Sequence, residues 1–96
     1  MKKIDHIAIC VDSPVEAANW YIENHGAKKI YIDDTWSIVQ FANVKLAFVV
    51  EDQHPPHFAF EVDELENGKL HRDGSRSTYK KDPWGNDYEL VLYPKE

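Results

Sequence analysis

The run His6-Ile7-Ala8-Ile9-Cys10-Val11-Asp12 returns half a chain later as His57-Phe58-Ala59-Phe60-Glu61-Val62-Asp63. Both copies read His-apolar-Ala-apolar-x-Val-Asp. Self-similarity at a period of half the chain marks two related modules built around equivalent strands. Residues alternate with period two in each copy, so His and Ala share one face and the bulky apolar side chains take the other. A duplicated strand with a histidine on its less apolar face offers a pair of metal ligands.

The chain has 96 residues, enough for one small domain or for two half-domains around a shared core. A hydrophobic content of 43% with 12% aromatics excludes a disordered chain. No apolar run approaches the roughly 18 residues of a membrane helix, so no membrane partner is expected. The opening Met1-Lys2-Lys3-Ile4-Asp5 leads into a strand pattern without the apolar stretch of a signal peptide. Cys10 has no partner for an internal disulfide. Both features lead us to expect a cytoplasmic protein. The net charge is −6 and the basic residues are scattered, which argues against nucleic acid as a partner. There is no phosphate-binding glycine loop, CxxC pair or GxSxG elbow.

The first strand is expected over about 4–11. Ser13, Pro14 and Glu16 then supply an N-cap, a first helical residue and a capping box. Val15, Ala18, Tyr21 and Ile22 recur at helical spacing, and Gly26 provides the stop. Three further strands are expected over about 27–33, 36–42 and 44–51, with Asp33-Asp34 and Asn43 at the turns. After the joint at Asp52-Gln53-His54-Pro55-Pro56, the second half begins again with a strand over 57–62. Asp63 and Glu66 repeat the cap spacing, but Asn67-Gly68 breaks the helix after about a turn. Strands over about 75–81 and 87–93 flank a turn at Asp82-Pro83-Trp84-Gly85-Asn86. The second half thus reads as a shortened copy, with a stunted helix and one strand fewer.

Glu89 alternates with Tyr88 and Leu90 in an apolar final strand, an unusual place for a surface charge. If the halves pair pseudo-symmetrically, His6, His57 and Glu89 line one hollow. Two imidazoles and one carboxylate hold a divalent metal and leave positions open for water or substrate. Fe, Mn, Zn, Ni and Co all suit that set. Glu51 and Glu61, of matching strand parity, are the acid/base candidates. The bland readings are a solvated strand end for Glu51 and a pocket-lining or core residue for Cys10. His25 reads as a solvated residue at the end of the helix, and His54 and His71 receive no role. Trp20 and Trp36 read as core or interface aromatics, and Trp84, in a turn, as a pocket or subunit-contact residue.

These pieces resemble the vicinal oxygen chelate superfamily, which includes glyoxalase I, fosfomycin-resistance proteins, extradiol dioxygenases and bleomycin-resistance proteins. The matching residues are Ile4-Asp5-His6-Ile7-Ala8-Ile9-Cys10-Val11-Asp12-Ser13, Trp20-Tyr21 before Gly26, and His57-Phe58-Ala59-Phe60-Glu61-Val62-Asp63. The last is Asp82-Pro83-Trp84-Gly85-Asn86-Asp87-Tyr88-Glu89-Leu90, similar to the family's DP-x-G-x-x-x-E-L ending. The resemblance implies an α+β fold over 1–96: paired βαβββ modules forming a cupped, glyoxalase-like mixed sheet around a metal. Module one covers 1–52, and a truncated module two covers 57–96. Carried over by position, the metal ligands are His6, His57 and Glu89.

Glyoxalase I uses a further glutamate in the last strand of module one, where this chain has Ala47. Three ligands without it look more like the thiol transferases and dioxygenases. The fosfomycin enzymes' substrate loop has no counterpart here. The family often pairs two chains, and an edge left by a missing strand would favour a homodimer. The resemblance therefore implies a metal-dependent enzyme acting on a small oxygen-bearing substrate by lyase, isomerase, dioxygenase or transferase chemistry. The alternative is a metal-free, small-molecule-binding protein of the bleomycin-resistance kind. A degenerate fold kept as a regulatory subunit is a third reading.

Overall fold

A computed structural model of the chain describes residues 1–71 and 74–94. Its elements are β1 (Lys3–Cys10), α1 (Pro14–His25), β2 (Lys28–Ile32), β3 (Trp36–Gln40), β4 (Lys45–Val49), β5 (His57–Glu61), β6 (Lys69–Leu70), β7 (Arg76–Lys81) and β8 (Asp87–Leu92). They group into two compact units. One is His6–Pro56; the other joins Met1–Asp5 to His57–Glu96. The strand β1 contributes its first residues to one unit and its remainder to the other.

In the unit His6–Pro56, the strand order is β2-β3-β4-β1. Strands β1 and β4 run parallel, with Ala8 opposite Ala47 and Ile9 opposite Phe48. The connections β2–β3 and β3–β4 are antiparallel. The helix forms where the capping signals put it. The Ser13 hydroxyl accepts the Glu16 N–H at 3.2 Å, and Pro14 opens the first turn. At the other end Gly26 takes φ 72°, a left-handed conformation that closes the helix, and its N–H donates to the Ile22 carbonyl. One face of the helix, centred on the fully buried Ala18, packs against Val39 and Phe48, with Tyr21, Ile22, Ile9 and Val11 around them. Of the apolar face expected for β1, Ile9 and Val11 join this core, whereas Ile7 is exposed. The opposite sheet face carries a second cluster of Ala8, Ile38, Ala47 and Val49, flanked by Cys10, Tyr31 and Trp36.

In the other unit, the order is β1-β5-β8-β7-β6. Strands β5 and β8 are parallel, with Ala59 opposite Glu89 and Phe60 opposite Leu90. Strand β7 runs antiparallel to β8, and the short β6 antiparallel to β7. The N-terminal segment is tied in by the Tyr93 hydroxyl, which donates to Asp5 at 2.6 Å, and by the Lys2 ammonium over the Phe60 ring.

Two expectations are corrected here. The second module does have a fourth strand, the two-residue β6, so the case for a homodimer built on a missing strand falls. A strand this short leaves no periodic signal. The segment expected to form a stunted helix forms none: residues 62–68 run as bends and irregular chain. Leu65 packs so tightly over Gly68 that a Cβ there would lie 2.6 Å from its Cδ2. The α+β class and the repeated strand–strand geometry are as the sequence implied. No helix among the described residues is long and apolar enough to cross a membrane.

Candidate metal centre

His57 opens β5 because period-two alternation puts it on the face opposite Phe58 and Phe60. The parallel register sets Glu89 beside Ala59, two residues further along that same face. The two side chains are therefore drawn together. His57 Nε2 lies 3.7 Å from Glu89 Oε1, and both residues are buried, at 8% and 7% exposure. That separation is longer than a hydrogen bond. It is close to the roughly 3.0–3.4 Å expected between two ligands each about 2.1 Å from one metal ion.

Tyr79 completes this corner, and the sequence reading missed it. It sits opposite Glu89 across the β7–β8 pair. Its ring meets the His57 imidazole edge-to-face, with centroids 5.0 Å apart and planes at 89°. Burial, with the nearby Glu89 and Asp87 carboxylates adding to it, pushes the Tyr79 phenol well above its ordinary range, so its hydroxyl keeps its proton throughout the physiological range. Nothing in Ser75-Arg76-Ser77-Thr78-Tyr79 reads as a motif. The signal was the shared parity of Tyr79 and Glu89, legible only once the register of the two strands is known.

His6 lies on β1, opposite Lys45 of β4 and one peptide bond beyond Asp5. Glu61 ends β5 on the His57 face and is exposed. It stands roughly 13 Å along the strand from His57. Glu51 falls past the end of β4, in an exposed turn. With Cys10, Asp12 and Asp52 it lines an open hollow of about 410 Å³. The Cys10 thiol donates to the His54 carbonyl at 3.6 Å. His71 Nε2 sits 2.5 Å from the buried Ser77 hydroxyl. His25 is exposed at the end of the helix, within ring-contact distance of Trp20 and Tyr21. Trp84 stands out from its turn at 82% exposure, and Trp20 is half exposed. Trp36 stacks on Tyr31 with ring centroids 4.5 Å apart.

Solved structures share this architecture along almost the whole chain. Hypothetical protein BH1468 from Bacillus halodurans C-125 superposes with a TM-score of 0.77 at 14% identity, covering 99% of this chain and 96% of that one. The shared fold is the glyoxalase-like one. A single-residue variant of Streptomyces coelicolor methylmalonyl-CoA epimerase, solved with 2-nitronate-propionyl-CoA, has the same fold, with a TM-score of 0.77, 15% identity and 99% of each chain covered. So does the Mycobacterium tuberculosis methylmalonyl-CoA epimerase, with a TM-score of 0.74, 18% identity, and 97% of this chain and 89% of that one covered. No protein-family model matches the sequence, and a search of curated proteins finds no match. At these identities the glyoxalase-like fold is shared, while activity is a property of the site each chain builds on it.

Proposed function

We propose that this chain is a small metal-dependent enzyme of the vicinal oxygen chelate type, with His6, His57 and Glu89 holding one divalent ion. The observation that carries this reading is the His57–Glu89 pair: both residues are buried, and Nε2 lies 3.7 Å from Oε1. Its chemistry fits as well. Imidazole and carboxylate together suit Fe, Mn, Zn, Ni or Co, and a carboxylate buried beside an imidazole calls for positive charge. When bound, the metal supplies Lewis-acid polarisation of substrate oxygens. The protein's own part is to hold the His57 and Glu89 donors together, to keep bulk water from Glu89 by burying it, and to move protons. Glu61, on the His57 face, and Glu51, in its turn, are the groups proposed for proton transfer, each reaching a substrate several atoms long rather than the ion itself.

The epimerase structures hold methylmalonyl-CoA or 2-nitronate-propionyl-CoA. Thioesters and dicarbonyl compounds with an acidic carbon next to a carbonyl are therefore the first class to screen. A homodimer belongs to the same proposal, supported by the exposed Ile30 and Leu70 on the edge strands β2 and β6. So does a cytoplasmic location, supported by the free Cys10.

Elemental analysis of freshly purified protein tests the core of the proposal. About one ion per chain is expected, with loss of that ion in His57→Ala. If His57→Ala held metal as well as the parent, the ligand set would be wrong.

The stacked Tyr31 and Trp36, set against an apolar cluster, favour one further reading: a metal-free binder of planar compounds. Thermal stabilisation by such a compound in the presence of a chelator would select it.

A further inference from the structure

Within the unit that carries His57 and Glu89, Tyr79 is the outermost of three groups in a row. It is 40% exposed, whereas the two residues beneath it are nearly sealed. Its ring stands perpendicular to the imidazole of His57, the edge-to-face arrangement that aromatic pairs prefer. Across the sheet it faces Glu89 directly. The same place in the repeat tells what it is for. In module one Ile38 faces Ala47, both buried in an apolar cluster. Where the repeat has no carboxylate it has no aromatic ring, and where it has the carboxylate it has tyrosine.

We propose that Tyr79 is a positioning residue for the metal centre, its ring walling in the His57 imidazole so that Nε2 stays turned towards Glu89. An imidazole at the start of a strand has two broad χ2 orientations, and only one keeps Nε2 beside the carboxylate. The perpendicular ring holds the plane of the imidazole, and the carboxylate beside Nε2 selects between the two flips of that plane. Ligand-orienting neighbours of this kind typically change metal affinity by roughly 10–100-fold when removed. The inference rests on the proposed metal function for its consequence; the Tyr79–His57 geometry stands without it.

The experiment has two readouts on Tyr79→Phe, Tyr79→Leu and Tyr79→Thr. Threonine is included because its β-branched side chain suits a strand. The first readout is the imidazole NMR spectrum of His57 without metal. The second is Co(II) titration followed by visible absorption and calorimetry. Tyr79→Phe is expected to keep both within about twofold of the parent. The ringless variants are expected to lose the ring-current shift and the single orientation of His57, and to bind Co(II) about tenfold more weakly. An unchanged His57 orientation in a folded ringless variant would overturn the inference, as would unchanged Co(II) affinity. A parent that binds no Co(II) would defeat the metal reading instead, leaving the imidazole spectra to decide on Tyr79.

Discussion

The two modules differ at matched positions. The partner of the strand alanine is Ala47 in one and Glu89 in the other, and the residue facing that partner is Ile38 in one and Tyr79 in the other. Backbone register is the same in both, with parallel pairing at the same offset from the leading histidine. One ladder has therefore been filled in two ways. Module one closes its face with small and branched apolar side chains. Module two keeps that face polar and half open. The other sheet face differs in the opposite sense. Module one seals it with α1, while Phe58, Phe60 and Tyr88 of module two pack mainly on one another and stay half exposed. Module one is thus the better sealed of the two, and module two carries the buried His57–Glu89 pair.

The largest effect that bears on this division should come from the helix-covered core. Phe48 is fully buried under α1, so Phe48→Ala should destabilise the protein by about 4 kcal/mol. The half-exposed Phe58 has no helix over it, so Phe58→Ala should lose only about 1 kcal/mol. Urea midpoints measure both. Equal losses would mean that the two modules share stability evenly.

Placing the carboxylate of module two into module one comes next. In metal-depleted protein, Ala47→Glu would set a charge among the apolar side chains of Ala8, Ile38 and Val49, with the His6 imidazole two residues along the same face of β1. A destabilisation of about 3 kcal/mol is expected, visible as a lowered melting temperature at pH 7. If the variant were as stable as the parent, module one's face would be wetter than its packing implies.

Metal affinity separates the modules by a smaller margin. Removing either donor of the buried pair, by His57→Ala or Glu89→Ala, should weaken Zn(II) binding at least about 100-fold in a calorimetric titration. Ala59→Ser, which changes the same face without removing a donor, should shift it by less than about threefold. Equal effects of the two kinds of change would uncouple the buried pair from metal binding.

How much of this the sequence discloses depends on the length of the signal. The helix announces itself five ways over a dozen residues, through Ser13, Pro14, Glu16, the apolar stripe and Gly26. Its boundaries follow closely. The histidine strands are legible because the pattern occurs twice, and Glu89 because a glutamate interrupts an apolar run. Strand β6 is illegible because two residues have no period. The crowding at Gly68 is equally hidden, since it comes from Leu65 folding back over it and from the Ser77 carbonyl 3.2 Å from where a Cβ would be. Tyr79 eluded the reading for a related reason. Its importance lies in which residue it faces across the sheet, and register is set by the turn at Asp82 and Asn86 rather than by anything within β7 itself.

The turns supply the subtlest contrast. In module one, Asp33 Oδ1 accepts the N–H groups of Thr35 and Trp36 at 2.7 and 3.0 Å, and the Tyr31 hydroxyl donates to its other oxygen. The Tyr31 contact first, then Thr35 and the backbone donors, hold its carboxyl well below the ordinary carboxylate range. In module two, Asp82 accepts from Trp84 and Asn86 and is also lowered, first by the Asn86 side chain. A carboxyl depressed in the folded state contributes stability that is complete above its unfolded value of about 4 and fades as pH falls through the folded value. The parent should therefore lose stability progressively below about pH 4. Asp33→Asn should be less stable than the parent at pH 7 and lose less on acidification, because the amide has no charge to titrate. Asp82→Asn should show the same signs with a smaller amplitude, since the Asp33 carboxyl is held much further below its ordinary range. Urea midpoints at pH 7 and pH 3 give the comparison. An acid loss in Asp33→Asn as large as the parent's would mean that this turn is held by its backbone alone, and that the acid sensitivity of module one arises elsewhere.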